Sequence, residues 1–333
     1  IQSMVSLRPN PELWRTHRQE LTDPWVGPGA SRHKSMIVDV AHSLIDQWVD
    51  EEKVDFVSQF AQPLPQMVMA KVLGWPIEDL KLLKHFGDGT VKAFVYGSGH
   101  RCILPTEEVR SQLEVLQEFQ AYTNALIAAR RSAPEEDMIT FLTTVEYSPL
   151  NRKLTDAEIN GIVYAMVIGG LETTQYALAE QVQLVIEKHA VWQALKADKR
   201  KVRAFTEEGM RLRAPTQGLS TRTTSQEEVF QGVAVPKGSF LHMRWAAANI
   251  DPLEWDDPTE LKLDRKAGTR HLTFSQGARV CPGASLSRLE QVEAWNALID
   301  RIDHFEYAQD NTFTHQPGIM LGITKLNLAF KKQ

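Results

Sequence analysis

Apolar positions recur at helical spacing over most of the chain. Between residues 32 and 50, Ile37, Val40, Ala41, Leu44, Ile45 and Trp48 fall three or four apart, which predicts an amphipathic helix. Further helices are predicted over 10–22, 64–73, 77–86 and 105–131. The first carries Trp14 and Arg18 on one face. Pro24, Gly27, Pro28 and Gly29 then break the chain into a loop. The last opens at Pro105-Thr106-Glu107-Glu108, where Thr106 is expected to cap an acidic first turn.

The longest helical stretch begins at Thr155-Asp156-Ala157-Glu158, a capping box, and continues to about Lys188. That is roughly 50 Å at the usual rise. Ile159 to Leu171 is apolar nearly all round, which predicts burial. Its middle reads Gly169-Gly170-Leu171-Glu172-Thr173-Thr174. Glycine and threonine are poor helix formers, and a buried Glu is costly unless used or hydrated. Two readings follow: a close helix crossing at the glycines, or a local distortion that leaves room for a small ligand. Beyond it, 219–250 turns strand-like: Leu219–Thr223, Val229-Phe230, Val233–Val235 and Phe240–Met243 alternate with turn formers at Gly232 and Pro236-Lys237-Gly238. Leu286, Leu289, Val292 and Leu298 predict a helix from Ala284, and 306–332 a turn with strands whose apex is Gly318–Leu321.

Composition narrows the class. The chain has 333 residues, 43% hydrophobic and 24% charged, ordinary for a globular protein of one large domain or two small ones. A net charge of −5 argues against a nucleic-acid binder. No run of eighteen apolar residues is present, so no membrane span is expected. The two cysteines, Cys102 and Cys281, do not make a disulfide framework; a reducing compartment, the cytoplasm, fits best. Lys196 to Arg203 is a basic run, read either as a solvated helix face or as a docking patch for an acidic electron donor.

Candidate chemistry centres on 271–290. A lone Cys beside glycine is most often a small buried hydrophobe. Here Gly277, Pro282 and Gly283 can bring backbone N–H groups close to the Cys281 sulfur, just ahead of a helix N-terminus. That setting favours a thiolate, as a proximal haem ligand requires.

Phe274, Gly277, Arg279, Cys281 and Gly283 match the F-x-x-G-x-R-x-C-x-G signature of the cytochrome P-450 family, the haem-thiolate monooxygenases. Ser275 stands where Gly is frequent, and Pro282 where Leu is frequent. Gly169 to Thr174 resembles the family's [A/G]-G-x-[D/E]-T-[T/S] string, and Trp14 with Arg18 its W-x-x-x-R pattern. Glu208 and Arg211 fit E-x-x-R, with Arg265 as the later arginine; Asn249-Ile250-Asp251-Pro252 is similar to N-R-D-P, with Ile250 where Arg is common.

The resemblance implies a mainly α fold with small β-sheets, binding haem b and using dioxygen. Cys281 would ligate iron, with Phe274 shielding the sulfur and Gly277 and Gly283 shaping the loop. Trp14, Arg18, Arg222, His271 and Arg279 would reach the haem propionates. Gly169 would lie beside dioxygen, with Glu172 and Thr173 delivering protons. Glu208, Arg211 and Arg265 would form a buried structural ion network. Candidate pocket residues are Met166, Ile168, Gly169, Thr216, Gln217, Gly218, Leu219, Ile319 and Met320, which suit a mostly apolar small organic substrate. One oxygen atom would be inserted with two electrons from a separate ferredoxin- or flavodoxin-type donor and its NAD(P)H reductase. Two cysteines cannot supply a four-Cys iron–sulfur cluster. The rivals are a peroxide-driven peroxygenase and a non-catalytic haem sensor; the Glu172-Thr173 pair favours dioxygen. The match covers 1–333 as a single haem-thiolate domain that begins near the family's helix C. The family's preceding β-rich segment and B–C loop are therefore expected to be absent, leaving a piece of a longer chain.

Overall fold

The computed structural model describes residues 10–97, 105–265, 270–315 and 320–333. Helices dominate. They are α1 (Pro11–His17), α2 (Lys34–Ile45), α3 (Pro63–Leu73), α4 (Leu80–Gly97), α5 (Thr106–Ser132), α6 (Met138–Thr144), α7 (Asp156–Gly170), α8 (Glu172–Glu187), α9 (His189–Ala197), α10 (Val202–Leu212), the short α11 (Trp245–Ala248) and α12 (Ala284–Arg301). The capping box forms as expected: the Thr155 hydroxyl accepts from the Glu158 N–H, and the Glu158 carboxylate accepts from the Thr155 N–H. The start of α5 differs. Pro105 occupies the cap position and Thr106 is already helical, so no side chain caps that end.

The predicted long helix is two helices. Leu171 bends the chain between α7 and α8, with the paired glycines at the end of one and Glu172 at the start of the other. Poor helix formers at the junction and a Thr173 hydroxyl donated back to the Gly169 carbonyl (2.8 Å) fix the break there. α8 then runs through the core, where Ala177, Leu178, Ala179 and Val182 are buried. It packs on α12 through a polar seam: Thr174 Oγ1 lies 2.9 Å from Ser287 Oγ, and Gln181 joins both Gln291 (2.6 Å) and the Trp295 indole N–H (2.7 Å). Gln181, Gln291 and Trp295 are buried, so each of their polar groups must find a protein partner, which sets the register of the two helices.

Strands are short and peripheral. β1 (Lys53–Asp55), β11 (Asn327–Lys332) and β8 (Ile302–Tyr307) form one antiparallel sheet in the order β1–β11–β8. β2 (Glu146–Tyr147) pairs with β3 (Arg152–Lys153), β4 (Leu219–Thr223) with β7 (Phe240–Met243), β5 (Glu228–Phe230) with β6 (Val233–Val235), and β9 (Thr314–His315) with β10 (Ile323–Lys325). All four strands anticipated between 219 and 250 are present. The basic run is mostly neutralised: Lys196 pairs with Asp303, Lys199 with Asp300 and Arg200 with Asp198. That favours the solvated-face reading.

Below the cysteine loop lies the ion network. Arg211 is fully buried, yet its guanidinium donates to both Glu208 oxygens (2.7 and 3.0 Å) and to the carbonyls of Asn249, Pro258 and Glu260. Arg265 adds a bond to Glu208 (2.9 Å), and the Trp255 ring lies under both guanidinium groups. Burial opposes the charged form of Glu208, but Arg211, the Lys262 N–H and Arg265 together outweigh it and hold the carboxyl below its usual range. A carboxyl depressed on folding stabilises the protein above its unfolded value and loses that contribution as pH falls. Replacing Arg211 with Ala leaves a buried carboxylate without its main partner and should cost about 3–5 kcal/mol at neutral pH. Urea unfolding read by circular dichroism checks this. The difference between wild type and Glu208→Gln should shrink as pH falls through the carboxylate range; a cost independent of pH would be contrary to the charged network.

Candidate functional site

The loop before α12 is closed by its own backbone. The Ser275 N–H donates to the Leu272 carbonyl (2.8 Å), and the Cys281 N–H to the Phe274 carbonyl (2.8 Å). Gly277 sits at φ +77° and Ser275 at +61°, both left-handed. A serine there carries a strain that glycine would not, which is the physical meaning of its departure from the family string. The turn delivers Cys281 just ahead of α12. Burial pushes the Cys281 thiol up overall; the nearby N–H groups of Gly283 and Ala284 and the guanidinium charges of Arg18 and Arg288 pull the other way.

Two further sets of bonds brace the loop. Asn249, fully buried, accepts the Leu272 N–H (2.6 Å) and donates to the Thr273 hydroxyl (2.9 Å); Thr273 donates in turn to the Met210 carbonyl. Since Arg211 also holds the Asn249 carbonyl, the ion network reaches the cysteine loop through this one amide. The second set was not foreseen. Glu207 takes two bonds from Arg288 (2.6 and 3.1 Å) and one from His271 Nε2 (2.9 Å). The Arg288 guanidinium also stacks over Phe274, 4.5 Å from its ring centroid. His271 is therefore corrected: Nε2 faces Glu207 and Nδ1 accepts the Thr273 N–H, so neither ring nitrogen is left for a propionate. The sequence signal for this network was a second acid next to Glu208 and an Arg one turn into α12.

α1 lies against the same loop. Arg18 donates to the Val280 carbonyl (3.0 Å) and pairs with Asp23 (3.5 Å), while its Nε is buried without a hydrogen-bond partner. Trp14 stacks on His17, and the Arg279 guanidinium lies over the Trp14 ring, 5.6 Å from its centroid. Trp14, Arg18 and Arg279 are thus brought together. The strand holding Arg222 and Leu219 is placed by its backbone alone.

On the α7–α8 side, one strip is left uncovered. Ala165 and Gly169 are exposed and Ile168, Glu172 and Thr173 half-buried, while Ile162, Val163, Met166 and Val167 are buried. These five residues follow i, i+3, i+4, i+7 and i+8, a single helix face; Tyr164 and Gly170, also half-buried, lie off it. No atom lies within 4 Å of where a side chain on Gly169 would begin. Ala165 belongs to this strip and was not foreseen. Met166 is corrected: it points into the core on another face of α7, packed with the buried apolar cluster. Gly218 is corrected too. It is buried, and a Cβ there would strike the Met243 carbonyl at 2.2 Å, so its smallness serves strand packing. Thr216 bridges Met320 in backbone pairing, and its hydroxyl reaches Met320 Sδ (3.6 Å). The Gln217 amide is turned to the Ala214 carbonyl. Ile319 and Cys102 lie outside the described residues.

Burial raises the Glu172 carboxyl, and Asp88 raises it further; Lys84 and a hydrogen bond with Tyr176 act oppositely. The Cys281 loop carries two more glycines, Gly277 and Gly283, with open space where a side chain would be. A sulfur supplied with N–H donors, a buried unsatisfied Arg18 Nε and glycine-lined open faces fit a flat, dianionic cofactor with a central metal.

The sequence pattern of the cytochrome P-450 family matches residues 4–330. The polyketide biosynthesis cytochrome P-450 PksS of Bacillus subtilis (strain 168) is 28% identical over 301 residues, covering 90% of this chain and 71% of its own length. Among solved structures, P-450 BioI in complex with hexadec-9Z-enoic acid ligated acyl carrier protein superposes with a TM-score of 0.85 at 26% identity, over 95% of this chain and 79% of that one. A mutant of P-450 EryK in complex with erythromycin B gives 0.85 at 28% identity, over 96% and 80%. The chain belongs to the cytochrome P-450 family of haem-thiolate monooxygenases, oxidoreductases that bind haem b iron and use dioxygen.

Proposed function

We propose that this chain inserts one oxygen atom of dioxygen into a small, mostly apolar organic substrate, with Cys281 as the axial thiolate. The observation that carries the reading is the place of Cys281, at the head of α12 on a turn closed by its own N–H on the Phe274 carbonyl (2.8 Å). The free N–H groups and dipole of a helix start favour negative charge on a sulfur held there. When bound, haem supplies the iron at which dioxygen is reduced. The chain's residues do the rest. Trp14, Arg18 and Arg279 hold the propionates, with Arg222 a further candidate; Phe274, pinned by Arg288, covers the sulfur. Gly277 and Gly283 keep the loop face flat.

Glu172 and Thr173 manage protons. Thr173 is anchored at the Gly169 carbonyl, and the neighbouring Glu172 carboxyl feels the charges of the Lys84–Asp88 pair on α4 (2.5 Å). A raised Glu172 carboxyl can take a proton from the solvent side and release it inward, as a relay requires. This pair separates the proposed reaction from a peroxide-driven one, which brings its own protons and electrons.

The open strip of Ala165, Ile168 and Gly169, with Met320 and Thr216, offers apolar contact with one hydroxyl. Relatives named with polyketide synthesis or a fatty-acyl carrier protein suit a guest of that chemistry. In this reading electrons come from a separate ferredoxin- or flavodoxin-type donor and its NAD(P)H reductase; the two cysteines of these 333 residues cannot themselves hold a four-Cys cluster. Among the described residues, no helix is long and apolar enough to cross a membrane.

Reduced haem-loaded protein under carbon monoxide should show the red-shifted Soret band of thiolate ligation. Cys281→His should abolish it and Cys102→Ser should not; the reverse pattern would sink the assignment. Arg18→Ala and Arg279→Ala should each release haem more readily to apomyoglobin, and unchanged release in both would count against the clamp. Thr173→Ala should bind haem and a shift-inducing apolar compound normally, yet divert most NADH electrons into hydrogen peroxide. Undiminished product per NADH in that variant would exclude the proton role.

A further inference from the structure

Glu180 takes no part in the motifs above, yet it is buried to 3% exposure in the middle of α8. A carboxylate there is costly unless cations and donors surround it. Its two oxygens are held from different parts of the chain. Oε2 receives Gln183 Nε2 (3.2 Å) and Arg213 Nη1 (3.4 Å). Oε1 has no hydrogen-bond partner and faces His315 Nε2 at 3.7 Å, an ion-pair distance. Arg213 occupies the C-terminal cap position of α10 and turns its Nη2 to Glu187 (2.7 Å), which also accepts from the Tyr307 hydroxyl (3.5 Å).

Arg213 and His315 stand on the two segments that meet at the substrate side. Two residues beyond Arg213, the Pro215 carbonyl accepts the Leu321 N–H (2.7 Å), and the next residue, Thr216, bridges Met320. His315 pairs with Ile323 at the start of β10, three residues after Met320. The same segment rests directly on α8: a Cβ on Gly322 would fall 2.3 Å from Tyr176 Cδ1, one turn before Glu180. One buried carboxylate thus holds both segments of the Thr216–Met320 bridge to a single helix.

We propose that Glu180 is a positioning residue for the substrate side: through Arg213 and His315 it anchors the segments carrying Thr216 and Met320, and so sets where those two side chains stand. This deepens the substrate-side reading of Thr216 and Met320 and rests on it. Among the described residues, the groups whose charge reaches Glu180 are Arg213, Glu187 and His315, with Tyr307 behind Glu187. Arg213 keeps its charge and a second partner in Glu187, so the His315 arm is the one that pH can release. Burial pushes the Glu180 carboxyl up to about 7, against Arg213 and Gln183. Acid therefore discharges the carboxylate near neutrality, and alkali discharges an imidazolium, so the His315 arm grips over a narrow pH window.

The test uses haem-loaded protein carrying carbon-13 in its methionine methyl groups, reduced and bound to carbon monoxide so that the iron is diamagnetic. The Met320 methyl signal is identified by its absence in Met320→Leu. It should move with pH between about 5.5 and about 8.5, and lose most of that movement in Glu180→Gln and in His315→Gln. The second variant changes an exposed side chain, so the fold is not at risk and the result does not hang on Glu180→Gln alone. A Met320 signal that does not titrate, or that titrates equally in His315→Gln, overturns the proposal. Binding of 4-phenylimidazole, an apolar azole that coordinates haem iron, is then read from the Soret shift of ferric protein at neutral pH. His315→Gln should weaken it roughly two- to fivefold, the range of a part-exposed ion pair. A Met320 signal that responds as expected while azole affinity stays unchanged supports the anchor and overturns the substrate-side reading of Thr216 and Met320 instead.

Discussion

A charged sulfur needs donors that do not move. Water could solvate it, but water would also let it swing, and an axial ligand must be held. The chain meets this requirement with backbone N–H groups at a helix start and then spends two buried carboxylates on keeping that backbone still. Glu207 and Glu208 are adjacent on α10, about 100° apart around the helix. One faces Arg265 and Arg211 and reaches the loop through Asn249; the other faces Arg288 and His271 and reaches it through Phe274. Each carboxylate is expensive to bury alone. The guanidinium fork, with several donors in one plane, lets a single Arg211 satisfy a carboxylate and three carbonyls together.

The opposite side of the site solves a different problem: it must be open inside a buried helix pair. Side-chain volume is removed at Ala165 and Gly169 rather than backbone being moved aside, and the helix is interrupted at Leu171 so that Thr173 can bond to Gly169. The two sides are kept in register by one hydroxyl contact, Thr174 with Ser287, which joins the residue after Thr173 to the second turn of α12. Gln181, Gln291 and Trp295 repeat the lock farther along. An aliphatic seam of equal area would bury more apolar surface but would permit sliding; polar partners without water do not.

Much of this was legible because it is local. The capping box, the four short strands and the cysteine turn depend on residues within a few positions of one another. The ion network was legible because its pair lies three apart and its third member follows a recognisable string. What escaped was set by contacts across long separations. Glu207 and Arg288 are 81 residues apart, and nothing near either announces the other. His271 beside Phe274 looked available for a propionate until Glu207 was found on its ring nitrogen. Met166 and Ala165 differ by one position, 100° of rotation, and a helix apolar all round gives no phase by which to choose the open face.

The two departures in the cysteine string show which parts of the loop the chemistry fixes. Pro282 has no N–H, so it would harm the site only if that donor were needed at the sulfur. The N–H groups that favour the thiolate are those of Gly283 and Ala284, beyond Pro282, and a fixed proline φ there stiffens the turn at no loss. Ser275 is the less comfortable change, since its φ of +61° suits glycine. Its own N–H, however, closes the turn on Leu272, and the next closure, Cys281 on Phe274, is also backbone to backbone. Both bonds survive any side chain that tolerates the angle. The string therefore constrains Gly277, where φ is +77°, and Cys281, whose sulfur has no substitute, while leaving neighbouring positions free to vary at a modest strain cost of about 1 kcal/mol.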